Sequence, residues 1–116
     1  MAKYSRTKFF IAEQRGSSKT IAANTDLTAD DINAHGYSFI IINGAFTLTL
    51  PAASSFLKGV TVLVHGNNAS SKVDVAAGFG GGGASYDTVT VGAYNTVKFW
   101  CNGSFWYALS EAVGAS

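Results

Sequence analysis

The side chains able to carry covalent or proton chemistry are few and scattered. Cys101 is the single cysteine, His35 and His65 lie 30 positions apart, and seven carboxylates are spread over 116 residues. A zinc site recruits Cys, His or carboxylate ligands at recurrent short spacing, and no such cluster can be read here. His35 precedes Gly36 and reads as a turn residue; His65 closes a strand before Gly66-Asn67-Asn68. Asp30 and Asp31 are adjacent, which places them on different sides of a helical turn and not as a facing acid and base. Cys101 stands among aromatics beside Asn102-Gly103, the setting of a small buried apolar residue more than of a nucleophile. The run Gly78-Phe79-Gly80-Gly81-Gly82-Gly83 could suggest a phosphate cradle, but a P-loop closes on Gly-Lys-Ser/Thr and opens a helix. Here Gly83 is followed by Ala84-Ser85-Tyr86-Asp87. The run reads instead as a mobile loop with Phe79 as a contact. Glycosidase, protease and nuclease constellations are all missing from this inventory, so neither enzyme activity nor a metal or cofactor is expected.

The composition points to building and sticking. Hydrophobic residues make up 47% of the chain and charged residues 13%, about half the usual charged share of a soluble domain. With 13 glycines and one proline, regular structure is interrupted by turns, and long helices are disfavoured. The length suits a single domain. The net charge of +1 hides a split: residues 1–20 carry Lys3, Arg6, Lys8, Arg15 and Lys19 against Glu13 alone, a net +4, leaving −3 on the remainder. A basic arm (residues 1–20) on a mildly acidic body (residues 21–116) is the expected organisation, and such an arm suits an acidic partner. Nucleic acid is one such partner, because Tyr4, Phe9 and Phe10 interleave with Lys3, Arg6 and Lys8. The acidic body argues against it. No apolar run approaches the length needed to cross a bilayer, no secretory signal is read at Met1 to Arg6, and the lone cysteine excludes an internal disulfide.

From residue 38 onward apolar residues alternate with polar ones and are interrupted by Gly, Asn or Ser, the pattern of short strands. Seven are predicted: 38–43, 46–50, 61–65, 72–76, 88–91, 96–101 and 105–109. The unbroken Phe39-Ile40-Ile41-Ile42 run suggests a strand covered on both faces. Residues 28–34 form the one helical candidate, capped by Thr28 with Asp31 three positions on and ended by Gly36. The fold class expected is all-β: an antiparallel β-sandwich or jelly-roll-like barrel of about seven to eight strands with an extended N-terminal arm.

Asn102-Gly103 is the strongest local signal, because a two-residue type I′ turn needs positive φ at both positions. That turn sets Cys101 opposite Ser104 and Trp100 opposite Phe105. One face then carries Val97, Phe99, Cys101, Ser104, Trp106 and Ala108, and the other carries Lys98, Trp100, Phe105, Tyr107 and Leu109. A single small core can use one of these faces; the second needs a cover. Lys98, Trp100, Phe105 and Tyr107 are therefore candidate partner-binding residues on the hairpin, and Lys3, Tyr4, Arg6, Lys8, Phe9, Phe10 and Arg15 are the candidates on the arm.

The order Gly44-Ala45-Phe46-Thr47-Leu48-Thr49-Leu50-Pro51-Ala52-Ala53, Gly59-Val60-Thr61-Val62, Asp87-Thr88-Val89-Thr90-Val91, then Phe99 to Leu109 through Asn102-Gly103 resembles a β-module of bacteriophage virion proteins. Such modules are found in tail-fibre segments and in small capsid decoration (cement) proteins. The resemblance covers residues 36–110; the basic arm lies outside it, and the glycine run is longer than the pattern requires. At 116 residues from Met1 the chain is short for a fibre, which favours decoration. The resemblance then implies a virion protein, made in the host bacterial cytoplasm, that binds the outer surface of the capsid and bridges major capsid protein subunits. It implies a homo-oligomer, dimer or trimer, with no cofactor, no nucleic acid and no membrane. The alternative is a tail-fibre or spike-associated module that binds a host-surface glycan through Tyr86, Tyr94 and Trp100, assisted by Asp87 and Asn95.

Overall fold

The computed structural model of the chain describes residues 18–33 and 36–109. They form nine strands, β1 (Ser18–Ile21), β2 (Thr25–Asp26), β3 (Phe39–Ile42), β4 (Thr47–Thr49), β5 (Thr61–Gly66), β6 (Lys72–Asp74), β7 (Thr88–Thr90), β8 (Asn95–Cys101) and β9 (Trp106–Ala108). One short helix, α1 (Ala29–Asn33), and two 3-10 turns, Ser55–Leu57 and Gly83–Tyr86, join them. The strands make two sheets, a five-stranded one in the order β1-β3-β5-β8-β9 and a four-stranded one in the order β2-β4-β6-β7. A β-rich fold with little helix is what the alternating pattern predicts, and all seven predicted strands are present. β1 and β2 were not predicted, because Ser-Lys-Thr-Ile and Thr-Asp are too short and polar to show a period. β1 also carries strand pairing into the stretch expected as arm.

The pairing departs from the antiparallel expectation. β1 pairs with β3 and β3 with β5 in parallel, as do β2 with β4 and β4 with β6. The chain passes from the five-stranded sheet to the four-stranded one and back, three times over. Each pass lies beside the one before, so Ser18 aligns with Phe39, and Phe39 with Leu63. From β1 to β6 consecutive strands fall in different sheets and cannot be hairpin partners. The direction reverses after β6: β7 runs antiparallel to β6, β8 to β5 and β9 to β8. Alternation assigns each residue to a face but is the same for parallel passes and antiparallel hairpins, so sequence periodicity could not separate the two.

Each pass is fixed locally by its corners. The N–H groups of Asn43, Asn67 and Tyr94 donate to the carbonyls of Ile21, Ile42 and Gly66 at 2.9, 3.0 and 2.7 Å, carrying the ladder round the bend. Asn67 Nδ2 also donates to Asn43 Oδ1 at 3.4 Å, stacking one corner amide on the next. On the return side, α1 starts with the predicted capping box. The Thr28 N–H donates to Asp31 Oδ2 at 2.9 Å and the Asp31 N–H to Thr28 Oγ1 at 3.1 Å.

The inward side chains of both sheets meet in one core. Ile21, Ile40, Ile42, Val62, Val64, Val97, Phe99, Cys101 and Trp106 come from the first sheet, and Leu48, Val73 and Val89 from the second. Ile32 seats α1 on it. Gly66 stands in the inward row formed with Ile21 and Ile42, where a side chain has no room: a Cβ there would strike the Gly92 carbonyl and approach Ser71 Cβ to 2.8 Å.

The glycine run is a loop with Phe79 as its contact, as expected. Phe79 is 1% exposed, with its ring centroid 5.5 Å from those of both Phe99 and Tyr86. Its N–H donates to Tyr86 O at 2.7 Å, and the Gly80 N–H donates to Trp106 O at 2.8 Å, so the run is sewn onto the outer edge of β9. Gly78, Gly80, Gly81 and Gly83 all have positive φ, a conformation that other residues rarely adopt. The glycines therefore allow a path that drops Phe79 into the end of the core. Phe79→Ala should destabilise the fold by about 3–5 kcal/mol, and Gly66→Ala by roughly 1–3 kcal/mol through overpacking. Urea unfolding midpoints of the two variants check both values.

Candidate interaction surface

The last hairpin forms with a different turn from the one predicted. Cys101 pairs with Trp106, Trp100 with Tyr107 and Phe99 with Ala108, so the connection is the four residues 102–105, two longer than a type I′ turn. Asn102 does not take positive φ; in this turn only Gly103 does, at 99°. Asn102 acts instead as an acceptor, its Oδ1 receiving the N–H groups of Ser104 and Phe105, both at 2.8 Å. This is the side-chain-closed turn that Asn favours as readily as the left-handed region. The pairing shifts by two positions, an even number, so the predicted faces of the paired residues survive, while Ser104 and Phe105, predicted opposite Cys101 and Trp100, fall in the turn.

Cys101 is fully buried, and its sulfur receives the Gly103 N–H at 3.4 Å. Trp106 is also fully buried, with Nε1 donating to Pro51 O at 2.8 Å. On the opposite face Trp100 and Tyr107 lie side by side, ring centroids 5.9 Å apart. Trp100 and Phe105 are both 36% exposed. Asn102 Nδ2 donates to the Tyr107 hydroxyl at 3.3 Å. The glycine run forms one border of this cluster, since a Cβ at Gly80 would lie 3.4 Å from the Tyr107 ring and one at Gly81 3.6 Å from the Phe105 ring.

The hairpin is one margin of a wider surface. Through the registers of β1, β3, β5 and β8, Ser18, Phe39, Leu63 and Lys98 form one outward row, and Thr20, Ile41, His65 and Thr96 the next. Leu109 extends the first row, its N–H donating to Lys98 O at 2.8 Å, and Thr61, Trp100 and Tyr107 make the third. Phe39, Ile41 and Leu63 are half-buried and lie outside the core cluster. They are the site residues that sequence reasoning missed; the signal was the unbroken Phe39–Ile42 run, read as covered on both faces. His65 Nδ1 meets Thr96 Oγ1 at 2.9 Å across β5 and β8, and these rows hold one lysine, Lys98, with no arginine or carboxylate. Over β3, β5, β8 and β9, strand spacing gives the surface a footprint of about 350 Å². Patches of this size on a monomer are often functional.

Of the predicted site residues, Lys98, Trp100, Phe105 and Tyr107 are thus brought to one edge of this surface. The arm residues Lys3, Tyr4, Arg6, Lys8, Phe9, Phe10 and Arg15, together with His35, lie outside the described residues. The trio proposed for a glycan is dispersed. Tyr94 is 80% exposed in the corner before β8, and Trp100 is near the other end of that strand, about 20 Å away. Tyr86 packs on Phe79 instead. Tyr94 is the one non-glycine residue with positive φ among those described, at 61°. No group of three or more His, Cys, Asp or Glu side chains that could hold a metal ion occurs among the described residues. No helix of the described residues is long and apolar enough to cross a membrane. Compared with protein-family models, curated proteins and solved structures, the chain matches none of them.

Removing the Asn102 carboxamide takes away two hydrogen bonds at the exposed hairpin tip, so Asn102→Ala should cost about 1–2 kcal/mol, while Asn102→Asp, which retains the acceptor, should cost less. Equilibrium unfolding of the pair checks the ordering.

Proposed function

We propose that this chain is a structural protein of a bacteriophage virion that binds the outer surface of the capsid and bridges major capsid protein subunits. The observation that carries the reading is the outer face of the five-stranded sheet, where Phe39, Ile41, Leu63, Trp100 and Tyr107 lie on four neighbouring strands among Thr61, His65, Thr96 and Lys98. A rigid apolar face held on sheet backbone suits docking to protein. The phage assignment rests on the sequence resemblance across residues 36–110. In the fold, the shared core fits the sandwich half of the expectation, whereas parallel passes do not fit a jelly roll.

A stable interface takes roughly 800 Å² from each partner, about twice the footprint of the face. The remainder is assigned to the basic arm, with Lys3, Arg6, Lys8 and Arg15 meeting acidic groups and Tyr4, Phe9 and Phe10 meeting apolar ones. Two modest contacts on one molecule, repeated by symmetry over a shell and by oligomerisation of the chain as a dimer or trimer, add as avidity without any new contact. The role needs no cofactor and no turnover.

Purified virions should carry the protein on heads at a copy number comparable with the major capsid protein; a few copies at the tail would support the fibre reading, and absence from virions would defeat both. On emptied capsids, Leu63→Lys should reduce affinity about 30-fold, the equivalent of ~2 kcal/mol. Deletion of residues 2–14, which stops short of β1, should reduce occupancy as well, and unchanged binding would remove the arm from the contact.

A further inference from the structure

The chain contains two Asn-Gly steps, Asn43-Gly44 and Asn102-Gly103. Asparagine is a thermolabile residue, and a following glycine favours its conversion, because no Cβ screens the glycine nitrogen or restricts the backbone beside it. The reaction needs only water. The glycine nitrogen gives up its proton and attacks the asparagine Cγ; a C–N bond forms, the Cγ–Nδ2 bond breaks, and ammonia leaves with that proton. Water then opens the cyclic imide at either carbonyl. One product is an aspartyl residue. The other is an isoaspartyl residue, whose main chain runs through Cβ and Cγ and is one carbon longer.

The fold holds the two steps differently. At the hairpin tip Asn102 Oδ1 accepts the N–H groups of Ser104 and Phe105 at 2.8 Å, Nδ2 donates to the Tyr107 hydroxyl at 3.3 Å, and the Gly103 N–H is directed at Cys101 Sγ at 3.4 Å. Bringing Cγ onto the Gly103 nitrogen pulls Oδ1 from its two donors, and expelling Nδ2 gives up the third bond, so the hairpin must open first. Asn43 lies exposed in the corner after β3, its carboxamide held only through Oδ1, 3.4 Å from Asn67 Nδ2. Neither Asn43 Nδ2 nor the Gly44 N–H makes a hydrogen bond among the described residues. Gly44 cannot be exchanged for a less permissive residue: its φ is 135°, and a Cβ there would strike the Phe46 ring at 2.6 Å. The corner thus requires the glycine that leaves the step reactive. We propose that Asn43 is a self-modification site of the folded protein, converting to aspartyl and isoaspartyl forms, while Asn102 is shielded by its hairpin. Either product places a carboxylate at the corner and lowers the net charge by one from +1. In the isoaspartyl form the extra carbon falls between Ile42 O, which accepts the Asn67 N–H at 3.0 Å, and Gly44 O, which accepts Ser71 Oγ at 2.7 Å. The corner that carries β3 into β4 is loosened. None of this rests on the functional reading.

The test uses the full wild-type chain, incubated in mildly alkaline buffer at physiological temperature, both folded and in concentrated urea. Peptide mass spectrometry follows conversion at each step, and isoaspartyl methyltransferase labelling scores the isoaspartyl product. In the folded protein Asn43 should convert at least about tenfold faster than Asn102, the ratio produced by a barrier difference of ~1.4 kcal/mol. In urea the two rates should converge. Equal rates in the folded protein, or a faster Asn102, overturn the proposal. So does an Asn43 slowed by folding as much as Asn102, which would make the corner as protective as the hairpin. A gap that persists in urea belongs to the neighbouring residues and not to the fold, and it overturns the proposal as well. A second readout uses charge. Asn43→Gln, whose side chain would have to close a larger ring, should remove the early acidic species on isoelectric focusing of the folded protein; persistence of that species places the reaction elsewhere.

Discussion

The inward rows that run from pass to pass are what the rest of the structure depends on. Ile40 stacks between neighbours on β1 and β5, Ile42 between Ile21 and Gly66, and Val64 between Ile40 and Val97. A parallel stack tolerates variation in the length of a pass, odd or even, but not a one-residue slip within a paired strand, which would turn every inward side chain out. The lengths do vary: Ser18 to Phe39 spans 21 residues and Phe39 to Leu63 spans 24. The return side absorbs the difference, with α1 in the first pass and the Ser55–Leu57 turn in the second. The other side is held constant by the corner amides, whose backbone bonds repeat from Ile21 to Ile42 to Gly66.

The reversal after β6 follows from the same constraint. A stack of parallel passes ends on an exposed core, and terminal units of such arrays are built differently for that reason. Here the chain turns back, lays β7 and β8 antiparallel on the last pass, and closes the end with Phe79 and Trp106, both essentially buried. The positive-φ glycines around Phe79 are the conformational cost of reaching that position. They also explain why a segment of such simple composition leaves a definite border around Phe105 and Tyr107.

The faces of the strands were legible in the sequence, whereas their partners were not. Period-2 alternation in Val62-Leu63-Val64 and Val73-Asp74-Val75 assigns each residue inward or outward whatever lies alongside, and the predicted hairpin faces persist through a two-residue shift because parity is conserved. Parallel pairing depends on contacts between residues more than 20 positions apart, which no local pattern reports. Asn102 was misread for a different reason: the same side chain favours a left-handed turn and accepts bonds within a turn, and only the backbone of Phe105 decides between them. The site was half legible. Trp100 and Tyr107 stood out by type, while Phe39, Ile41 and Leu63 were hidden inside apolar runs that looked like core. The Thr28–Asp31 capping box, wholly local, was read correctly.

Lys19 occupies the inward row of β1, level with the buried Ile40, Val64 and Val97. Its ammonium lies 5.4 Å from the centre of the Tyr37 ring. A lysine turned inward on a border strand is a standard guard against edge-to-edge growth, since another strand laid there would have to bury the charge. Repeated parallel winding is otherwise the geometry of fibrils, in which every layer is a template for the next. With Phe79 and Trp106 closing one end and Lys19 guarding the first sheet at the other, that sheet resists continuing into an endless filament even in a crowded solution.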